Sequence, residues 1–249
     1  MRKAVIALMI MIASAFPAFS AQYVDSFSIM NNNPLYLELI EAIKNAEGEQ
    51  KVLDAYDAYI SSGISCTERS RVEYHLARYY KDMKNKTEAL KHIEMEKKYM
   101  DMIPSDAPEV EKLMASVDET SAEYYVTKDL KVGMRNSNLA KELYSKYPDE
   151  VIACLTEAFR LIYTPGIAGG SPRKALRILD DLEKNAGSAI SKVDLYSLYV
   201  AKALALSKRD EFDLSDEYLD KALKFYTGDP TIQDTRKDNT NGRKEKEEY

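Results

Sequence analysis

The segment RVEYHLARYYKDMKNKTEALKHIEME, residues 71–96, constrains the fold of this chain more than any other. A polar turn, residues 82–87, lies between two runs in which small and apolar residues recur at helical spacing. These residues are Leu76, Ala77 and Tyr80 before the turn and Ala89 and Ile93 after it. Because the turn is short, the two helices must run antiparallel. The alanines stand where the two backbones approach each other. The segment therefore predicts an antiparallel helical hairpin.

This hairpin resembles the tetratricopeptide repeat, in which a Leu-Ala/Gly-x-x-Tyr helix precedes Ala-x-x-x-(aromatic or aliphatic). Glu96 stands where that family prefers a second Ala, so the match is partial. The segment LAKELYSKYPD, residues 139–149, is similar to the second helix of such a hairpin with its terminal Pro. The loop at 165–170, which ends in a Gly-Gly pair shortly before Lys-Ala-Leu, is similar to the lengthened turn of some bacterial tetratricopeptide proteins. The resemblance covers most of residues 34–227.

Helical stripes recur through residues 34–230, and no segment there reads as a strand. We therefore predict an all-α, tetratricopeptide-like solenoid of about five irregular antiparallel helix pairs. The third pair is distorted, with a long helix at 109–132 and a shorter one at 138–147. The next helix, 150–163, is capped by Asp149 and apolar nearly all round, so it should be buried in mid-stack. A single irregular all-α domain is the competing architecture.

Residues 1–20 have the pattern of a secretory signal peptide. Arg2 and Lys3 precede an apolar run, and Ala18-Phe19-Ser20 places small residues before a cleavage point at Ala21. An uncleaved anchor is the alternative, although the run is shorter than the ~20 residues that a span needs. The pattern predicts export to a bacterial periplasm or the medium, with no stable membrane span after cleavage. Residues 21–33 are expected to form a flexible arm, and 231–249 a disordered charged tail.

No constellation of residues in the sequence indicates catalysis, a metal or a cofactor. The two histidines, His75 and His92, lack metal-binding spacing, and no phosphate, dinucleotide or nucleophile motif occurs. Cys66 and Cys154 could close a disulfide loop of about 88 residues, but a buried free thiol is the ordinary interpretation of Cys154. The net charge of −6 makes nucleic acid and anionic lipid poor candidate partners.

Placing the tetratricopeptide register on residues 71–96 predicts a partner-binding group on the concave side: Arg71, Tyr74, Arg78 and Lys81. Three cations beside one tyrosine can hold a carboxylate or an acidic peptide segment. The alternative is a solvated helix face paired with neighbouring acids.

The resemblance implies a non-catalytic exported adaptor that binds a protein or peptide partner in the cell envelope through a groove. A second hypothesis is a small-ligand-binding helper of a periplasmic transport system. That hypothesis requires an internal cavity lined by residues of the helix at 150–163: Leu155, Phe159, Ile162 and Tyr163. An enzyme is the third class. The sequence does not set the oligomeric state.

Overall fold

The computed structural model describes residues 23–247, so the predicted signal peptide lies outside the described residues. This range contains twelve α-helices and no β-sheet, which confirms the all-α class and the packing of helices in adjacent pairs. The tetratricopeptide-like solenoid stays a prediction. In chain order the helices are α1 (Ser28–Asn31), α2 (Pro34–Lys44), α3 (Glu49–Ser61), α4 (Cys66–Asp82), α5 (Lys86–Asp101), α6 (Glu109–Thr127), α7 (Leu130–Lys146), α8 (Val151–Tyr163), α9 (Pro172–Asn185), α10 (Lys192–Ser207), α11 (Phe212–Leu223) and α12 (Pro230–Glu247).

Local capping chemistry explains where several helices begin. The Ser65 hydroxyl accepts from Glu68 N, and the Glu68 carboxylate accepts from Ser65 N, so α4 begins with a capping box. Ser171 caps α9, whose first residue is Pro172. At α8, however, the predicted cap was wrong by one residue, since Glu150 holds the cap position and the helix begins at Val151.

The third hairpin differs from the prediction of helices at 109–132 and 138–147. α6 ends at Thr127 because Lys128 adopts a left-handed conformation, with φ of 60°. Asp129 then caps α7 by accepting from Lys131 N at 2.8 Å, so α7 begins eight residues before its predicted start. The break therefore lies inside a stretch whose apolar pattern continues across it. Five hairpins result: α2–α3, α4–α5, α6–α7, α8–α9 and α10–α11.

The N-terminal segment is docked along its described length rather than forming a flexible arm. Val24 makes a parallel bridge, donating to Asp149 O and accepting from Val151 N, each at 2.9 Å. The Tyr23 hydroxyl donates to the Asp181 carboxylate at 2.5 Å, and Phe27 is buried in the main core. These contacts join residues more than a hundred positions apart, so no local pattern in the sequence indicates them.

The C-terminal tail, predicted to be disordered, forms α12. α12 has almost no apolar stripe, and polar contacts attach it to the rest of the fold. Asn239 is fully buried and donates to Ser215 Oγ at 2.9 Å and to the Asp216 carboxylate at 2.8 Å. Gly242 lies so close to the Phe212 ring that an added Cβ would come within 2.3 Å of it. The prediction of disorder was wrong because it counted only apolar periodicity.

The first hairpin contacts the segment that follows the last one. Gly228 N donates to Lys44 O at 3.0 Å, and the Lys44 ammonium pairs with Asp229 at 2.6 Å. A Cβ on Gly228 would lie 2.4 Å from the Asn45 carbonyl carbon. One core cluster accordingly runs from Phe27 to Ile232. In an open solenoid each repeat contacts only its neighbours. The contact between the first hairpin and the segment after the last one is therefore additional to the stacking of repeats.

The Lys44–Asp229 pair should be sensitive to mutation and pH. Burial alone raises the pKa of Asp229, but Lys44, the Tyr196 hydroxyl and Thr231 N outweigh it and hold that pKa well below its usual range. Lys44→Met leaves a buried carboxylate without its cation, and we expect a loss of about 2–4 kcal/mol in unfolding free energy at pH 7. Because the pKa is depressed, this contribution is present above the unfolded pKa near ~4 and is lost as pH falls.

Chemical denaturation of wild type and Lys44→Met at pH 7 and pH 3 measures this. Lys51→Ala, which removes an exposed pair with Glu47, is the control and should change little. A difference between wild type and Lys44→Met that does not shrink at low pH would contradict the assignment.

Candidate functional site

α4 and α6 run parallel and in register. Arg71 Nη1 of α4 donates to Asp118 Oδ2 of α6 at 2.8 Å. Seven residues further along each helix, the Arg78 guanidinium lies over the Tyr125 ring, 4.6 Å from its centroid. At the end of α4, the Asp82 carboxylate accepts from the Tyr125 hydroxyl at 2.5 Å. These contacts place the carboxyl ends of both helices side by side.

Arg71 is a structural residue, and its predicted place on an open binding surface was wrong. Its side chain is only 9% exposed and already pairs with Asp118. The Phe27 ring lies 5.0 Å from its guanidinium and covers it from the N-terminal side. Burial raises the pKa of Asp118 to about 6, and the Arg71 charge opposes that rise. The sequence could not reveal this partner, which is on a helix two elements away.

Arg78 and Tyr74 lie one turn apart on α4, and both are half-buried. The Arg78 guanidinium donates to the Tyr74 hydroxyl at 3.2 Å and lies 5.5 Å from that ring. Tyr125, which the sequence analysis missed, contributes the second ring that contacts Arg78. Together with Lys81, Lys128 and Tyr163, these residues form what we name the aromatic–cationic patch. Its members are Tyr74, Arg78, Lys81, Tyr125, Lys128 and Tyr163.

Lys128 brings a second cation to the same Tyr125 ring. Its ammonium lies 4.6 Å from the Tyr125 centroid. Burial lowers the pKa of Lys128, and the charges of Lys81 and Arg78 lower it further. Within residues 23–247 none of these three cations has a carboxylate within ion-pairing distance. The nearest acid is Asp82, whose charge raises the pKa of both Arg78 and Lys128 without forming an ion pair with either. Three cations beside one acid leave a net positive charge, an arrangement suited to receiving an anion.

Tyr163 joins this patch from α8. Its side chain is 60% exposed, yet burial raises the pKa of its phenol, and the Arg78 charge opposes the rise. Both observations fit a concave wall, where surrounding protein displaces bulk water without covering the ring. Tyr163 also stacks on half-buried Phe159, with centroids 6.3 Å apart.

The other two residues predicted to line a ligand cavity are packed instead. Leu155 and Ile162 are each 2% exposed and belong to the second core cluster, formed by α8, α9 and α10. Concavities occur elsewhere on the described surface. One of about 310 Å³ lies between α2 and α3, and one of about 430 Å³ lies beside the N-terminal segment.

Both histidines are engaged in packing contacts. His92 Nδ1 lies 2.6 Å from the Glu73 carboxylate, which also accepts from the Tyr56 hydroxyl at 2.7 Å. His75 Nε2 lies 3.0 Å from the Tyr36 hydroxyl. In the described part of the chain, no three His, Cys, Asp or Glu side chains converge on a point where a metal ion would sit.

The cysteines and the glycine-rich loop have structural roles. Cys66 and Cys154 are unlinked, and burial raises the pKa of the Cys154 thiol to about 12. In the loop after α8, Gly169 has φ of 92°, and a Cβ on Gly170 would lie 1.7 Å from Thr164 O. Only glycine fits this turn. Ile167 at its tip is fully exposed.

No protein-family model matches this chain, and no curated protein or solved structure shows significant similarity to it. Of the helices between residues 23 and 247, none combines the length and the apolar character that crossing a bilayer requires.

Glu96, the residue that departs from the repeat pattern, is a buried acid on α5. It is fully buried, and neither carboxyl oxygen has a hydrogen-bond partner. Burial, followed by the nearby acids Asp118 and Glu119, raises the pKa of Glu96 well above its usual value. An acid whose pKa is higher in the folded than in the unfolded state destabilises the fold at high pH, where it must either stay protonated or carry a buried charge.

We therefore expect Glu96→Leu to raise the free energy of unfolding at pH 8 by about 1–3 kcal/mol, because it removes an unsatisfied buried acid. The gain should shrink toward pH 4, below the unfolded pKa of a glutamate at ~4.3, where the acid is protonated in both states. Denaturation at both pH values measures it, with Glu94→Leu on the exposed side of α5 as control. A loss of stability at pH 8 would refute the account.

Proposed function

We propose that this protein is a non-catalytic exported adaptor that binds an acidic segment of a protein or peptide partner through the aromatic–cationic patch. The observation that carries the proposal is Arg78, whose guanidinium lies 5.5 Å from the Tyr74 centroid and 4.6 Å from the Tyr125 centroid, with no ion-paired carboxylate among the described residues. Lys81 and Lys128 add charge beside it. The tetratricopeptide resemblance supports the same surface, since that family binds through the first helices of its hairpins.

The geometry favours a carboxylate-bearing ligand over a neutral one. One N–H of the Arg78 guanidinium donates to the Tyr74 hydroxyl, which leaves four N–H groups that can contact a planar anion. The rings around it limit access of water, which strengthens the charge–charge attraction. Exposed phenols such as Tyr163 supply apolar area and a hydroxyl for the partner's backbone.

Export is supported by the leader-like pattern of residues 1–20. The docked part of the fold begins at Tyr23, two residues after the proposed cleavage point at Ala21, so removal of the leader leaves every described contact in place. We place the partner in the cell envelope on this basis.

Charge reversal tests the proposal. Arg78→Glu/Lys81→Glu should weaken capture of an envelope partner and binding of a labelled Asp/Glu-rich peptide by at least about tenfold, because each reversal turns an attraction into a repulsion. Fluorescence anisotropy of the peptide and quantitative mass spectrometry of captured protein measure the two effects. The matched control is Lys98→Glu/Lys184→Glu, two exposed lysines on α5 and α9, which should bind as wild type.

A photo-reactive side chain at Tyr163 should cross-link the same partner, whereas one at Leu214 of α11, 45% exposed, should not. If the Arg78/Lys81 variant keeps wild-type melting and wild-type affinity for both ligands, the patch is not the binding site.

A further inference from the structure

Three successive hairpin turns lie on one edge of the molecule. α4 and α6 are parallel through the contacts of Arg71 and Arg78. α8 is parallel to α6, since Thr156 Oγ1 lies 3.9 Å from Met114 Sδ and Tyr163, further along, is close to Tyr125. The turns that follow these helices therefore emerge together. We name residues 81–86, 128–131 and 164–174 the hairpin-turn edge.

This edge is basic in a chain whose net charge is −6. It has two acids, Asp82 and Asp129, against seven cations: Lys81, Lys84, Lys86, Lys128, Lys131, Arg173 and Lys174. All seven are exposed except Lys81, which is half-buried. Throughout residues 23–247 no salt bridge engages any of them. Elsewhere on the surface, basic side chains commonly pair with neighbouring acids, as Lys146 does with Glu109 and Glu142.

Each turn of the edge also presents one large apolar side chain to solvent. Met83 is 56% exposed, Leu130 is 74% exposed, and Ile167 is fully exposed at the tip of its loop. Exposed apolar residues are ordinary when scattered singly, but here each of three successive turns carries one. Met83 and Leu130 also have lysines next to them in the chain, Lys84 and Lys131. Apolar tips within a ring of cations are typical of surfaces that bind at a bilayer interface.

We propose that the hairpin-turn edge docks peripherally on an anionic phospholipid bilayer, with Met83, Leu130 and Ile167 entering the interface and the surrounding lysines contacting lipid phosphates. Charge complementarity selects this occupant: after its two acids, Asp82 and Asp129, are counted, the edge keeps an excess of five positive charges. The edge shares Lys81 and Lys128 with the aromatic–cationic patch, so the charge variants that test lipid binding use Lys84 and Lys131, which lie outside the patch. An adaptor anchored in this way would present that patch beside the membrane.

Vesicle cosedimentation tests it, using protein that begins at Ala21 so that the apolar leader does not itself bind lipid. We expect binding to phosphatidylcholine vesicles containing about one-third phosphatidylglycerol, weak binding to phosphatidylcholine alone, and loss of binding in high salt. Lys84→Glu/Lys131→Glu should weaken binding by at least about twentyfold, since each surface lysine contributes roughly fivefold. Met83→Ser/Leu130→Ser/Ile167→Ser should weaken it about tenfold or more.

Matched controls use the opposite ends of the hairpins. Lys98→Glu/Lys184→Glu has the same charge change, and Met102→Ser replaces a methionine of similar exposure, 54%; both should bind as wild type. Equal helicity by circular dichroism excludes unfolding of any variant. Absence of binding to anionic vesicles overturns the proposal, as does binding that the edge variants do not change. If the edge variants instead abolish capture of a protein partner while vesicles are never bound, the edge is a protein-docking surface.

Discussion

The buried ion pair between Arg71 and Asp118 sets the register on which the rest of the structure depends. It joins α4 to α6, the first helices of two hairpins, and so fixes how far one helix is shifted along the other. The contact of Arg78 with Tyr125, seven residues further along each helix, follows from that register. Burying two charges is costly, and such pairs are often retained because they specify one arrangement over others. Here that arrangement aligns the ends of α4 and α6, which creates both the patch and the edge.

The structure is closed as well as stacked. The N-terminal segment reaches α8 and α9 through Val24 and Tyr23, and the turn after α2 contacts the segment before α12. The C-terminal helix α12 is likewise attached by polar contacts, among them that of the fully buried Asn239 with Ser215. Closure restrains the first helices of the hairpins relative to one another, which preorganises a binding wall formed by residues from three of them.

The sequence was most informative where structure is local. The apolar stripes and the polar turn at 82–87 located the α4–α5 hairpin, in which α4 ends at Asp82 and α5 begins at Lys86. It failed at Lys128, because a left-handed residue interrupts the backbone without interrupting the apolar pattern. It failed at the termini and at Arg71 because their partners lie far along the chain. Of the predicted binding group, Tyr74, Arg78 and Lys81 remain in the patch, while Tyr125 and Lys128 could not be found without the register of α4 against α6.

Net charge describes the whole chain and does not show where its charges lie on the surface. Composition averages over the chain, whereas the parallel first helices collect three basic turns on one side. An acidic protein can therefore present a strongly basic edge. Its acids are distributed over other surfaces and into the core, where Glu73, Glu96 and Glu119 are buried.

Spin-label distances test the parallel alignment of α4, α6 and α8 most directly. In a protein with both native cysteines replaced, nitroxides at Met83 and Ile167 lie on the same edge, whereas Met102 lies at the far end of α5, about 24 Å along its axis. Double electron–electron resonance should give a shorter distance for 83–167 than for 102–167, by roughly 10 Å. The reverse order would mean that the turns do not share an edge, and would contradict the account of both the patch and the edge.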